Sequence, residues 1–224
     1  MIRSDMQGLK NRLLLPVLLL LYLALWIWAA IAPLDRSDWI LENLLAVVTI
    51  AALALSRRRY PLSPLSYTLI FVFLCLHAVG SHYTYAEVPY NAWSERLFGA
   101  PLNPLLGWER NNFDRVVHFS YGLLLVYPVR ELVLRIVGVR GFWGYLVPLD
   151  LMISTSALYE LIEWATAELV GGDLGMAYLG TQGDIWDAHK DMALASLGAL
   201  LTITATACLQ QGKGVRSKAT RRSP

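Results

Sequence analysis

The sequence predicts an all-α bundle that crosses a membrane about six times. Three observations predict it. Hydrophobic residues make up 56% of the 224 positions and charged residues only 16%, with a mean hydropathy of +0.45, whereas a soluble domain carries about 25% charged residues. The apolar residues come in blocks near the roughly 20 residues that span a bilayer. The basic residues alternate between successive loops, as the positive-inside bias demands.

The first block, Leu13–Ala32, is longer than the core of a signal peptide and is followed by further spans, so it reads as a retained helix. The second, Trp39–Leu55, is entered through Asp35 and Asp38, residue types that cap helix N-termini. The third is Leu62–Gly80. A polar stretch, Ser81–Asn112, with Pro89, Pro101 and Pro104, leads to the fourth, Phe113–Leu134, in which Pro128 invites a kink. The fifth is Phe142–Leu169, with Pro148 in its first turns. A glycine-rich loop, Gly171–Gly183, precedes the sixth, Ile185–Leu209. Residues 1–209 thus form one membrane domain. Residues 210–224 form a basic tail expected to be disordered and cytoplasmic.

One set of loops and ends holds Arg3, Lys10, Arg12, the run Arg57–Arg59, Arg130, Arg135, Arg140 and the basic residues of the tail, 14 of the 19 in the chain. Both termini are therefore expected in the cytoplasm. The net charge of +2 follows from this topology and gives no reason to expect a nucleic-acid partner. All four histidines and 14 of the 17 carboxylates then fall toward the opposite, outward side. Ionisable groups at membrane depth are expensive and mark functional sites by default.

Three of the outward ends carry stripes. Asp114 and His118 are four apart and share a helix face, as do Glu160 and Glu163, three apart. Asp184, Asp187 and Asp191 follow i, i+3, i+7. Such stripes face one another or a water-filled cavity. Imidazole with carboxylate suits zinc, manganese or iron, and Glu and His at helical spacing is how bundle cores build metal sites. The ligand candidates are His82, His118 and Asp187, joined by Glu160 and Glu163, one of which would be the general base of a catalytic site. Asp114, Asp184 and Asp191 would orient these ligands or add to them. His77 reads as a hydrogen-bonded packing residue. His189 lies off the Asp187/Asp191 face, and Asp150 is expected to pair with Arg130, Arg135 or Arg140. Trp108, Trp143, Trp164 and Trp186 read as anchors at the interface.

Several signatures are missing. Cys75 and Cys208 fall at opposite depths and form no CxxC, and there is no HExxH and no Gly-x-Ser-x-Gly elbow. Three readings stand side by side. One is a metal-dependent enzyme or binding protein, with zinc or manganese, acting on an envelope lipid or lipid-linked precursor. Another is a small proton- or ion-coupled transporter. The last is a scaffold whose polar cluster only orders the bundle. The small residues Ala193, Ala195, Ser196, Gly198 and Ala199 of the sixth span suit close helix packing, within the chain or in a homo-oligomer.

At these residues the chain resembles the YjdF-like family of bacterial inner-membrane proteins. The resemblance runs from about His77 to Leu200. It is carried by His77-x4-His82-Tyr83-Thr84-Tyr85, Asn112-x-Asp114-x3-His118-Phe119-x-Tyr121-Gly122, Glu160-x2-Glu163-Trp164 and Gln182-Gly183-Asp184-x-Trp186-Asp187-x3-Asp191. It implies an inner-membrane location and brings no activity with it. A fainter likeness to VanZ-like membrane proteins, linked to glycopeptide-antibiotic tolerance, lies in Asp114-x3-His118, Glu163 and Asp187-x3-Asp191. The VanZ pattern has an Arg before its final acidic pair, and this chain lacks it.

Overall fold

The computed structural model describes residues 2–179 and 181–220 and is helical throughout its regular parts. In chain order the helices are α1 (Ile2–Ala30), α2 (Arg36–Ser56), α3 (Pro64–His82), α4 (Tyr90–Phe98), α5 (Leu102–Leu106), α6 (Phe113–Ile136), α7 (Trp143–Val170), α8 (Gly172–Leu179) and α9 (Asp187–Thr220). Six are long and apolar enough to cross a membrane: Leu13–Ala30 of α1, α2, α3, α6, α7 and Asp187–Gln211 of α9. These are the six expected spans, each shifted by a few residues. Of the tail expected over 210–224, the last four residues lie outside the described residues.

Local chemistry sets the helix starts. The Asp35 side chain accepts from the backbone N–H groups of Ser37 and Asp38 and caps α2. Asp38, expected as a second capping residue, is instead buried in the bundle. Ser63 caps α3 through the Ser66 N–H, and Pro64 occupies its first turn, where a missing N–H has no consequence. Pro16, Pro128 and Pro148 lie within helices, which membrane bundles tolerate.

α6 and α9 form the tightest pair. A Cβ at Gly122 would collide with the backbone of Ala195 and Ala199, and one at Gly198 with the backbone of Phe119 and Leu123. The bare α-carbons let the two backbones touch, in the manner of small-residue packing in membranes. Thr202 adds a hydrogen bond to the Leu123 carbonyl at 2.7 Å. At least Ala195, Gly198 and Ala199 thus serve packing within the chain. α3 bridges α1 and α6, α7 packs on α9 and α6, and α2 packs mainly on α3 and α8.

The two connections at the acidic end are more structured than the sequence suggests. α4 and α5 fold over that end, closed by Gly99 and Gly107 in left-handed conformations. Most of the expected Gly171–Gly183 loop is helix α8. Gly171 and Gly172 make the turn at φ 68° and 57°. Gly175 then packs against the Ala167 backbone, where a Cβ would clash.

At the basic end, Glu131 accepts from Ser63 N–H and from the Ser66 hydroxyl and pairs with Arg135 at 2.5 Å. Arg130 lies 4.4 Å from the Tyr145 ring centroid and donates to Gln210 at 3.2 Å. The expected pairing of Asp150 is not formed among the described residues. Asp150 is exposed on α7, while Arg130 and Arg135 take these other partners.

Candidate functional site at the acidic end

A lattice of ion pairs joins the loop before α6 to the start of α9. Arg110 grips Asp187 at 2.7 Å and donates to the Thr181 carbonyl. Arg115 reaches Asp184 at 2.5 Å and Asp187 at 3.0 Å, and Lys190 also takes Asp184 at 2.5 Å. Gln182, held at φ 46°, accepts from the Asn111 N–H and donates to the Asn111 carbonyl. The Lys190 ammonium, the Trp186 N–H and Arg115 hold the Asp184 carboxyl well below its usual range. Asp184 and Asp187 are thus committed to arginine and lysine.

Deeper in, His118 sits between two carboxylates. Its Nε2 lies 3.4 Å from Asp114 Oδ1 on the same helix, and its Nδ1 lies 3.6 Å from Glu160 Oε1 on α7. Asp191, one α9 turn below Asp187, completes the group. One side-chain donor atom each from Asp114, His118 and Asp191 fall within 4.8 Å of one another. Asp191 is 2% exposed, and its Oδ1 has no hydrogen-bond partner; the same is true of Glu160 Oε1. Buried carboxylate oxygens are ordinarily satisfied.

Two cavities flank this group. One, of about 440 Å³, is lined by residues of α2, α3, α6, α7 and α8, including Asp38, Glu42, Asp114, His118, Tyr159 and Glu163. The other, also about 440 Å³, is lined by Glu160, Glu163, Trp164, His189 and Asp191 among others. Asp114 and Glu163 line both.

The structure therefore brings together His118, Glu160, Asp114 and Asp191, with Glu163 beside them, and ties Asp184 and Asp187 in the adjoining lattice. His82 stands apart. Its Nδ1 bonds the Ala29 carbonyl at 3.0 Å and its ring stacks on Trp28, against α1. His77 has the packing role expected, with Nδ1 2.5 Å from the Tyr85 hydroxyl. His189 turns to Trp186. Trp143, Trp164 and Trp186 are exposed, while Trp108 packs on Tyr90.

Sequence reasoning missed the contribution of α2. Asp38 and Glu42 are buried, and Tyr159 donates to Glu42 at 3.4 Å. The signal was present: Asp38-x3-Glu42 repeats the spacing of Asp114-x3-His118 at the same kind of helix start. The second span thus joins those that carry the stripes in lining the site.

The fold and this cluster define a polytopic helical membrane protein with a His/carboxylate site at one end of its bundle. The chain belongs to the family described as "Predicted membrane protein (DUF2238)", whose model matches residues 14–212. It is 40% identical over 179 residues to the "Inner membrane protein YjdF" of Escherichia coli (strain K12), covering 79% of this chain and 81% of that protein. No solved structure matches it. With six apolar helices, this membership makes it a multi-pass inner-membrane protein, surrounded by lipid bilayer.

Proposed function

We propose that this protein binds one divalent cation between Asp114, His118 and Asp191 at the outward face of the membrane. In this reading it acts on, or holds, an envelope lipid or lipid-linked precursor in the cavity lined by Glu160, Trp164, His189 and Asp191. The observation that carries the reading is the convergence of three donors within 4.8 Å around a buried Asp191 oxygen that nothing in the protein satisfies. One imidazole and two carboxylates suit zinc or manganese. A three-ligand set leaves a position open, as catalytic zinc sites do.

Each remaining residue has a place in this reading. His118 presents Nε2 on the Asp114 side, and Glu160 faces its Nδ1, as second partners orient metal-bound imidazoles. Glu163, lining both cavities, is placed to take a proton from water or substrate beside the cation. Asp184 and Asp187 hold the two loops in register through Arg110 and Arg115.

The transport reading finds less support. The end of the α2-lined cavity away from the cluster is lined by Leu53, Leu62, Leu132 and Pro128, with no titratable group among the described residues to continue a path. A purely structural network also fits less well, because such networks satisfy their members, and the buried Asp191 Oδ1 keeps no hydrogen-bond partner.

Elemental analysis of protein purified without chelators tests the proposal. About one equivalent of zinc or manganese per chain is expected. It should be lost in Asp191→Asn and His118→Gln and retained in Asp184→Asn. Metal-free wild-type protein whose melting temperature ignores added zinc and manganese would sink it.

A further inference from the structure

The cavity that α2 lines is acidic and aromatic, and its basic side chains are the imidazoles of His77 and His118. Asp38, Glu42, Asp114 and Glu163 line it, and no Lys or Arg among the described residues does. Of the cations at that end, Arg110, Arg115 and Lys190 are engaged by Asp184 and Asp187, Arg36 donates to the Ala30 carbonyl and lies over Trp39, and Arg96 is exposed on α4. A divalent ion at Asp114, His118 and Asp191 would leave Asp38 and Glu42 without a counter-charge. Both are nearly inaccessible, at 2% and 5% exposed.

Two further observations point to a ligand. His77 Nε2 and Ser156 Oγ line the same cavity, belong to residues 9% and 3% exposed, and have no partner. Aromatic rings also line it, among them Tyr85 and Tyr178. Burial first, and then Glu42 and neighbouring carboxylates, push both phenols well above their ordinary value, so both stay neutral. Neutral aromatic faces beside carboxylates are the surroundings that hold ammonium groups.

The cavity changes character along its length. On α2 it runs from Asp38 to Leu53, roughly 22 Å of helix rise. The far part is walled by leucines. Residues of both α2 and α7 line this space, and Tyr159 of α7 bonds Glu42 of α2.

We propose that this cavity binds a cationic amphiphile: a primary amine or quaternary ammonium on one long hydrocarbon chain. The head lies among Glu42, Asp38 and the tyrosines, and the chain lies along the leucine wall toward the basic end. A bare inorganic cation would leave the apolar length unused. A phosphate-bearing head would meet carboxylates with no guanidinium or ammonium to receive it, and like charge across a dry site is strongly selected against. This cavity is separate from the one in the preceding reading, though Asp114 and Glu163 line both, and its ligand needs no metal.

The test uses the full chain in dodecyl maltoside, a neutral detergent, with unfolding followed by tryptophan fluorescence. Dodecylamine and dodecyltrimethylammonium should raise the melting temperature saturably, while dodecyl phosphate and hexylamine should not. Stripping metal with a chelator should leave this response intact, so loss of metal and loss of amine binding are separately visible. Glu42→Gln should raise the apparent Kd for dodecylamine at least ten-fold, and Asp191→Asn should change it less than three-fold. Equal stabilisation by dodecyl phosphate would overturn the proposal, as would unchanged dodecylamine binding by a folded Glu42→Gln. The headgroup comparison is made on the unaltered protein and decides the matter even if Glu42→Gln fails to fold.

Discussion

Asp191 places a carboxylate oxygen in the interior with no hydrogen-bond partner. Leaving such a group unsatisfied costs about 1–3 kcal/mol, a cost that the proposed cation would remove. Asp191→Asn is therefore expected to melt a few degrees higher than wild type when both are metal-free, and to lose the extra stabilisation that zinc or manganese gives the wild type. Paired melting curves with and without metal check this; a variant that is less stable metal-free would show the carboxylate already satisfied. The Asp114–His118 contact was legible because both residues sit on one helix at i, i+4. The division of labour within the final acidic stripe was not. Asp184, Asp187 and Asp191 look equivalent along the sequence, yet Arg110 and Arg115, some 70 residues away, claim the first two. The position of His82 was equally hidden, since it depends on a carbonyl at the end of α1.

Helices that approach as closely as α6 and α9 have no room for a methyl group. Gly122→Ala would press a Cβ into the Ala195 carbonyl, and overpacking of this kind typically costs 1–3 kcal/mol. The variant should melt several degrees lower and, if the proposed cation site exists, bind zinc or manganese more weakly, because Asp114, His118 and Asp191 are carried by these two helices. Gly144→Ala, whose Cβ would press only on the end of the Leu134 side chain, serves as the comparison, and equal melting temperatures for the two variants would refute the packing argument. The loop lattice predicts a pH effect at the same scale. The Asp184 carboxyl is held below its ordinary value near 3.8, so its contribution is complete above that value and is lost as pH falls beneath it. Asp184→Asn should flatten the acid limb of the stability curve below about pH 4 and leave the neutral plateau's shape unchanged. Elements read from periodicity were found where expected. Helix α8 was not, because glycines argue against a helix unless a neighbouring backbone, here Ala167, requires their missing side chains.

Charge is divided between the two ends of the molecule. The basic residues were sorted by loop without reference to the acids, and the fold then gathers the acids at the other end: Asp38 and Glu42 from α2, Asp114 from α6, Glu160 and Glu163 from α7, Asp191 from α9. That convergence was legible as sidedness and as helix count. The partner of each acid was not, because it is fixed by tilts and close approaches that hydropathy does not encode. The orientation it implies has a direct measurement. Alkaline phosphatase, active only outside the cytoplasm, fused after Phe98 should be active, and fused after Arg140 should be inactive. A fluorescent protein at the C-terminus should fluoresce. Replacing Arg57, Arg58 and Arg59 together by Ser should weaken the bias, since charges within about 15–20 residues of a span set its orientation. A fraction of the Phe98 fusions should then lose phosphatase activity. The opposite pattern in the unaltered chain, with an active Arg140 fusion, would place the His/carboxylate cluster on the cytoplasmic face and move its ligand to the inner leaflet.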